Sequence, residues 1–331
     1  MMPELNNSQR RQVVKTLGLA LAAMGLPTGR AWAAAAPAKL TGGGPGTAET
    51  LPLALFKAYP DLTRDLDIEW IMGDPGQVQT LLLSGAVDSG AFGALGVAEA
   101  RLKGQDIVIF GPKISNHGSW LVKGDSPYQS LKDLKGKRIA TLAATSDTYR
   151  HARMAAALHG FDLRKDFEVV HGAPVANLAL FNRGDVEAII TIEPNATRII
   201  GQGAREIVRV ADQWKQATGD SAPLFLVGNG ARREWIQANR DTARKVARLF
   251  LSVNKLITDK PELAGQFHQA VGIPATEPAA IKLLPERFSR IFTPSWGPSD
   301  FANIDRQLDE AVKLGLLARK PDRPIYEPLD G

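Results

Sequence analysis

The chain has 331 residues, a formal net charge of +5 at pH 7 and no cysteine. Residues 1–33 hold four arginines or lysines and one glutamate, which leaves the rest of the chain with a net charge of only +2. So small a charge excludes the basic surface that nucleic-acid binding needs. The lack of cysteine excludes disulfides, thiolate metal sites, a cysteine nucleophile and a lipid anchor on an amino-terminal cysteine.

The amino-terminal segment has the order of a cleavable export signal. Arg10, Arg11 and Lys15 precede an apolar run over 16–26, and 31–33 is a small-x-small sequence that a signal peptidase can cleave. The apolar run would span about 16 Å as a helix, about half a bilayer, which is too short for an anchor. The paired arginines favour the Tat route. We therefore expect cleavage after Ala33 and a soluble periplasmic protein.

Short β-rich runs then alternate with helix-length segments, which predicts an α/β protein. A chain of this length suggests two lobes. Residues 34–37 and 41–46 are small and predict flexible chain around a first ordered element near Lys39. Strands are predicted at 68–71, 89–92, 107–110, 119–122, 138–141, 167–171, 188–191, 207–210 and 224–227.

One pattern of helix, glycine, acidic residue and strand occurs twice, about a hundred residues apart. Gly85 and Asp88 precede the strand at 89–92, and Gly184 and Glu187 precede the strand at 188–191. A glycine suits the left-handed turn after a helix, and an acidic side chain can hold the entry to the strand. Two copies predict two similar lobes.

The sequence beyond residue 231 changes to helical periodicity, with apolar residues three and four positions apart. The tail over 317–331 is rich in proline and predicts extended chain. Helices are predicted at 233–258, 261–271, 277–291 and 298–316.

A series of loose motifs gives the chain a family resemblance through its order. The motifs lie at 73–76, 82–88, 115–122, 125–138 and 191–194. Over about residues 38–316 the chain resembles the periplasmic substrate-binding proteins of ABC importers, in the branch that serves nitrate, sulfonates, taurine and thiamine precursors.

The resemblance implies a type II periplasmic-binding-protein fold, with two α/β lobes, two crossing strands and a helical C-terminal region. The lobes would close on one small ligand, and the closed monomer would dock on an ABC permease after export by the Tat machinery. No cofactor is expected. Lobe one would comprise 38–121 and 222–316, lobe two would comprise 122–221, and the crossing strands would be 119–122 and 224–227.

A ligand in such a sheet binds beyond the carboxyl ends of strands, where the amino termini of helices present free N–H groups. The loop over 144–148 is the best candidate, because its hydroxyls and amides suit a sulfonate, carboxylate or nitrate oxygen. Each loop could also be a plain turn or helix cap. The predicted ligand-binding residues are Gly73, Asp74, Gly76, Phe92, Gly93, Asn116, His117, Thr145, Ser146, Thr148 and Glu193.

Glu193 bears on the class of ligand. If its carboxylate faces the cleft, it calls for a cation or a hydrogen-bond donor, so a zwitterion or an amine-bearing ring fits better than a bare inorganic anion.

The sequence contains no recognisable catalytic pattern, so we expect a receptor rather than an enzyme. The five histidines lack metal-site spacing, and no Gly-x-Ser-x-Gly sequence is present. Two alternatives stay open. One is an enzyme of the same fold, of the thiamine-pyrimidine synthase type, although those enzymes carry a cysteine-rich segment that this chain, with no cysteine, cannot supply. The other is a ligand-binding sensor subunit.

Overall fold

The computed structural model describes residues 36–329, which form ten strands and twelve α-helices. The strands are β1 (Ala38–Gly43), β2 (Ile68–Gly73), β3 (Ser89–Phe92), β4 (Ile107–Ser115), β5 (Ser119–Val122), β6 (Arg138–Thr141), β7 (Glu168–His171), β8 (Ala188–Thr191), β9 (Arg205–Arg209) and β10 (Phe225–Arg232). The helices are α1 (Thr50–Ala58), α2 (Gln77–Ser84), α3 (Ala94–Leu102), α4 (Asp147–Leu158), α5 (Pro174–Arg183), α6 (Asn195–Gly201), α7 (Val210–Thr218), α8 (Arg233–Ala238), α9 (Arg240–Asp259), α10 (Glu262–Gln266), α11 (Pro278–Ser289) and α12 (Pro298–Lys313). The predicted export signal lies outside the described residues.

The strands form two five-stranded sheets with the same topology. The first has the order β2-β1-β3-β10-β4 and the second β7-β6-β8-β5-β9. In each sheet three neighbouring strands are parallel, and the fourth, β10 or β5, is antiparallel to both of its neighbours. We call the layers around these sheets the first and second lobes. The predicted α/β fold with two similar lobes is therefore confirmed.

The repeated sequence pattern has the same structural role in both lobes. Gly85 and Gly184 end α2 and α5 in the left-handed conformation, with φ of 83° and 80°. The carboxylate of Asp88 accepts a hydrogen bond from the backbone N–H of Lys39 in β1 at 2.8 Å. The carboxylate of Glu187 accepts one from the backbone N–H of Arg138 in β6 at 3.0 Å. Each acidic side chain thus joins the third strand of its lobe to the first.

The chain passes between the sheets in two short segments. Residues 116–118 lead from β4 in the first sheet to β5 in the second, and residues 219–224 lead from α7 back to β10. Each of the two predicted crossing strands therefore pairs within one sheet only. Residues 119–122 pair in the second sheet, and residues 225–227 pair in the first. The proposed division into lobes near residues 122 and 222 stays a prediction.

The C-terminal helices pack on the core of the first lobe, and α11 also contacts α6 of the second lobe. Val246, Phe250 and Val253 of α9 are buried in one cluster with the apolar residues of α1 and α11. The chain beyond α12 lies along β4, where Ile109 and Tyr326 form a bridge. No helix within residues 36–329 has the length and apolar character needed to span a membrane.

The flexible chain predicted at 41–46 is wrong. Residues 41–43 complete β1, and most of the following turn is buried. Glycine at position 43 lets the side chain of Thr47 pack directly against the backbone, because a Cβ there would overlap that side chain. The segment is therefore an ordered strand-to-helix loop leading into α1.

Candidate functional site

A cavity of about 40 Å³, here called the cleft cavity, lies between the two lobes. Gly43, Glu49 and Gln79 line it from the first lobe, and Asp147 and Thr148 line it from the second. Apolar side chains form much of the remaining wall. These are Ala48, Val78, Ala91, Ile114, Ile192, Leu226 and Val227.

Strand-to-helix loops from both lobes border the cleft cavity. The loops after β1, β2 and β8 contribute Thr47, Pro75 and Ile192, and the first turn of α4, which follows β6, contributes Thr148. The first turn of a helix has unpaired N–H groups and the positive end of the helix dipole. This part of the wall therefore favours negative charge in a ligand.

The acidic side chains that line the cleft cavity favour positive charge in a ligand, in contrast to the helix amino termini. Glu49 and Asp147 both line the cleft cavity, and no arginine or lysine is among its lining residues within 36–329. Each of these carboxylates is paired with a cation that does not line the cavity. Lys113 Nζ lies 2.9 Å from Glu49 Oε2, and Arg150 Nη1 lies 3.5 Å from Asp147 Oδ1.

Asp147, the first residue of α4, joins the two lobes. Its carboxylate accepts hydrogen bonds from the backbone N–H groups of Gly93 at 2.7 Å and Gly96 at 3.3 Å, at the start of α3. It also accepts one from Gln79 Nε2. Burial raises the pKa of Asp147, and the charge of Arg150 opposes that rise. An aspartate of the second lobe thus takes the anion position at a helix amino terminus of the first.

His117, in the segment that leads from β4 to β5, presents a lone pair. Its Nδ1 lies 2.9 Å from the carbonyl oxygen of Ser115, which can only accept, so Nδ1 carries the proton. Burial lowers the pKa of His117, which keeps the ring neutral. Nε2 is then an acceptor, and it has no hydrogen-bond partner within the described residues.

A second cavity of about 120 Å³, here called the hinge cavity, lies beside both connecting segments. His117 lines both cavities, whereas Asn116, Glu193, Arg209 and Arg287 line only this one. The carboxylate of Glu193 accepts hydrogen bonds from Arg287 Nε at 2.6 Å and from the N–H and hydroxyl groups of Thr197 at 3.0 and 2.6 Å. The cation that this carboxylate calls for is therefore Arg287 of the same chain.

The predicted site residues fall into distinct groups. Gly73, His117 and Thr148 line the cleft cavity, and Asn116 and Glu193 line the hinge cavity.

The other predicted residues have structural roles around the cleft. Ser146 caps α4 by accepting from the N–H of Tyr149 at 3.2 Å. Thr145 meets Gly76 across the cleft, where an added Cβ would lie 2.6 Å from the threonine hydroxyl oxygen. The remaining three, Asp74, Phe92 and Gly93, do not line either cavity. Direct contact of these residues with a ligand stays a prediction.

Sequence reasoning missed several residues of the cleft wall. Thr47 and Glu49 follow β1, whose glycine-rich end at Gly43 the sequence does not predict as strand, so no strand-to-helix loop is expected there. Gln79 is the third residue of α2, beyond the predicted loop at 73–76, and Asp147 is the first residue of α4, inside the predicted loop at 144–148 but not among the predicted ligand-binding residues. Glycines 42–44 ahead of Thr47 were an available signal for a loop in close contact with other groups.

Within residues 36–329 no group of three or more histidine, aspartate or glutamate side chains could hold a metal ion.

The shared topology of the two sheets and the cleft between them define the type II periplasmic-binding-protein fold. The NMT1/THI5-like family model matches residues 63–271, and the chain belongs to this family. None of the curated protein sequences matches the chain.

Three solved structures with this fold illustrate its range. The alkanesulfonate-binding protein SsuA from Xanthomonas axonopodis pv. citri, bound to MOPS, has a TM-score of 0.70 and 20% identity, covering 88% of this chain and 99% of its own. The periplasmic aliphatic sulphonate-binding protein SsuA from Escherichia coli has a TM-score of 0.62 and 20% identity, covering 86% and 96%. The desulfurization enzyme DszB has a TM-score of 0.56 and 15% identity, covering 86% and 94%. At sequence identities this low, the structural similarity shows a shared fold and no more.

Proposed function

We propose that this chain is a periplasmic solute receptor, which binds a small organic anion or zwitterion between its lobes and delivers it to an ABC permease in the inner membrane. The observation that carries the proposal is a cavity between the lobes that is lined by both polar and apolar residues and bordered by helix amino termini from both lobes. A ligand there contacts both lobes at once, so its binding energy favours the closed form over the open one.

The size of the cleft cavity supports a hinge motion. A volume of about 40 Å³ holds roughly three waters, since one water needs about 10–15 Å³. Any larger ligand must enter with the lobes further apart. The connecting segments at 116–118 and 219–224 are short, and a few residues in such positions can absorb the rotation.

Sulfonates are the ligand class to test first. Two solved structures with this fold are of sulfonate-binding proteins by their names. The free N–H groups at the cleft suit sulfonate oxygens. Taurine-like zwitterions, nitrate, aromatic carboxylates and aminopyrimidines belong in the same panel.

The location and partners follow from the same proposal. Export by the Tat machinery and removal of residues 1–33 rest on the paired arginines and the apolar run of the sequence, and action as a monomer is proposed with the family resemblance. An ABC permease is the partner that a periplasmic solute receptor requires.

The same-fold alternative is an enzyme. Its support is the likeness to DszB, for which a cysteine-to-serine variant has been solved with biphenyl-2-sulfinic acid. Because this chain contains no cysteine, chemistry that needs a thiol is not available to it. Binding without turnover is therefore the function that these residues support best.

A thermal-shift screen against the panel tests the proposal. A ligand at a hundred times its dissociation constant stabilises the folded form by about 2.7 kcal/mol, which corresponds to a rise of roughly 5–11 °C in the melting temperature. We expect one chemical series to produce such a rise and to be recovered unchanged. Consumption of a compound would contradict the receptor proposal and favour the enzyme.

A further inference from the structure

Several side chains on the wall of the cleft cavity have atoms that can accept further hydrogen bonds but cannot donate them. The hydroxyl of Thr47 donates its proton to the carbonyl oxygen of Gly44 at 2.8 Å, so its oxygen is left to accept. Glu49 and His117 line the same cavity. A ligand group that faces these atoms must supply the protons.

Glu49 is held in place by a buried lysine. Lys113 is only 3% exposed, and its ammonium group contacts Glu49 Oε2 at 2.9 Å, the carbonyl oxygen of Thr41 at 3.1 Å and the ring of Phe250 at 4.7 Å. The other carboxylate oxygen, Oε1, has no hydrogen-bond donor within residues 36–329. Lys113 therefore acts as a positioning residue that leaves one oxygen of Glu49 for a ligand.

His117 is an independent indication of a donor-bearing ligand. Its side chain is buried and its Nε2 is unpartnered among the described residues. A buried polar atom without a hydrogen bond costs about 1–3 kcal/mol. A ligand N–H group would remove that cost, whereas an anionic oxygen would face the nitrogen lone pair.

We propose that the cleft selects a zwitterion, with Glu49 and His117 binding its ammonium group while the amino termini of the surrounding helices receive its acid group. This inference rests on the proposed receptor function and names its substrate class. It moves the role first considered for Glu193 to Glu49, because Glu193 lines only the hinge cavity and both of its carboxylate oxygens already accept hydrogen bonds, from Arg287 and Thr197.

Matched compounds test the inference by isothermal titration calorimetry of the purified protein. The set is the ω-aminoalkanesulfonates of two to four carbons, the alkanesulfonates of equal length and the corresponding alkylamines. One charge-assisted hydrogen bond changes affinity by roughly 10- to 100-fold. We expect the aminosulfonate to bind at least about tenfold more tightly than either single-ended analogue.

The Glu49→Gln variant should lose this preference while binding the alkanesulfonate as well as, or better than, the unaltered protein. Glu69→Gln is the matched control, because Glu69 lies in β2 with its side chain half exposed beside Lys39. It should leave every affinity unchanged.

The outcomes separate the two proposals. Tighter binding of alkanesulfonates than of aminosulfonates, or an unchanged preference in Glu49→Gln, would overturn the zwitterion inference and leave the receptor function standing. The first comparison uses the unaltered protein and so does not depend on the variant folding. Absence of binding by every compound would remove the receptor proposal for this ligand class, and the inference with it.

Discussion

Replacing Arg287 by alanine should destabilise the protein, because it leaves a carboxylate buried without its cation. The side chain of Glu193 is 2% exposed and that of Arg287 is 11% exposed. Their shortest contact, Arg287 Nε to Glu193 Oε1, is 2.6 Å, and Arg287 Nη2 lies 3.1 Å from Glu206 Oε1. Removing one partner of a buried ion pair costs about 3–5 kcal/mol. The melting temperature should then fall by roughly 6–20 °C.

The measurement is thermal and urea denaturation followed by circular dichroism at pH 7. Arg198→Ala is the control. Arg198 forms a bidentate ion pair with Glu277 between α6 and α11, but its side chain is 32% exposed, much more than that of Arg287. A pair this exposed contributes about 1 kcal/mol or less. The double variant Arg287→Met with Glu193→Gln should recover much of the loss, since no buried charge then stays unpaired.

The effect of Arg287 should also depend on pH. Burial alone would raise the pKa of Glu206, but the hydrogen bond and charge of Arg287 outweigh it and hold that pKa below the ordinary 4.5. Stability from this pair is therefore present above pH 4.5 and is lost as the pH falls through the lowered pKa. A loss in Arg287→Ala no larger than in Arg198→Ala, or one that grows towards acid pH, would refute the reasoning.

Three further changes test other parts of the structure. Asp147→Ala removes the acceptor that joins the lobes, so the ligand-free protein should have a larger radius of gyration in small-angle X-ray scattering; an unchanged radius would contradict its role in closure. Gly93→Ala places a Cβ well under 3.0 Å from the carbonyl oxygen of Leu226. Urea denaturation should therefore show that the free energy of unfolding falls by about 1–3 kcal/mol. Gly297→Ala is the control, because Gly297 has open space around it and the substitution should leave the free energy of unfolding nearly unchanged. Burial lowers the pKa of His117 from 6.5, so the free energy of unfolding should fall by up to about 1.4 kcal/mol per pH unit as the pH drops below that value; an equal slope in His117→Asn would show that this ring is not the cause.

The local elements of this fold could be predicted from the sequence because their signals are local. The strands at 138–141 and 188–191 occur with the predicted bounds because each is a short β-rich run, and the strand at 89–92 does so because the repeated pattern of helix, glycine and acidic residue precedes it. Gly85 and Gly184 are predicted as helix ends because glycine, which has no Cβ, readily adopts the left-handed conformation that ends a helix. The two-lobed architecture followed from that repeat and from the family resemblance.

Pairing between distant strands decided what the local signals missed. β4 and β10 were predicted to end near residues 110 and 227, but they run on to Ser115 and Arg232 through glycines. Gly111 and Gly228 lie so close that a Cβ on Gly228 would overlap the carbonyl oxygen of Gly111. Glycine weakens an isolated strand, yet here it permits two backbones to approach.

The site shows the same division between sequence and tertiary structure. The sequence by itself placed polar loops at the carboxyl ends of strands, and Gly73, His117 and Thr148 do line the cleft cavity. Only the tertiary structure paired Glu193 with Arg287, 94 positions away along the chain, and placed Glu49 at the cavity. A loop position follows from local chain geometry, whereas the partner of a buried charge depends on which distant side chain the folded core brings within a few ångströms.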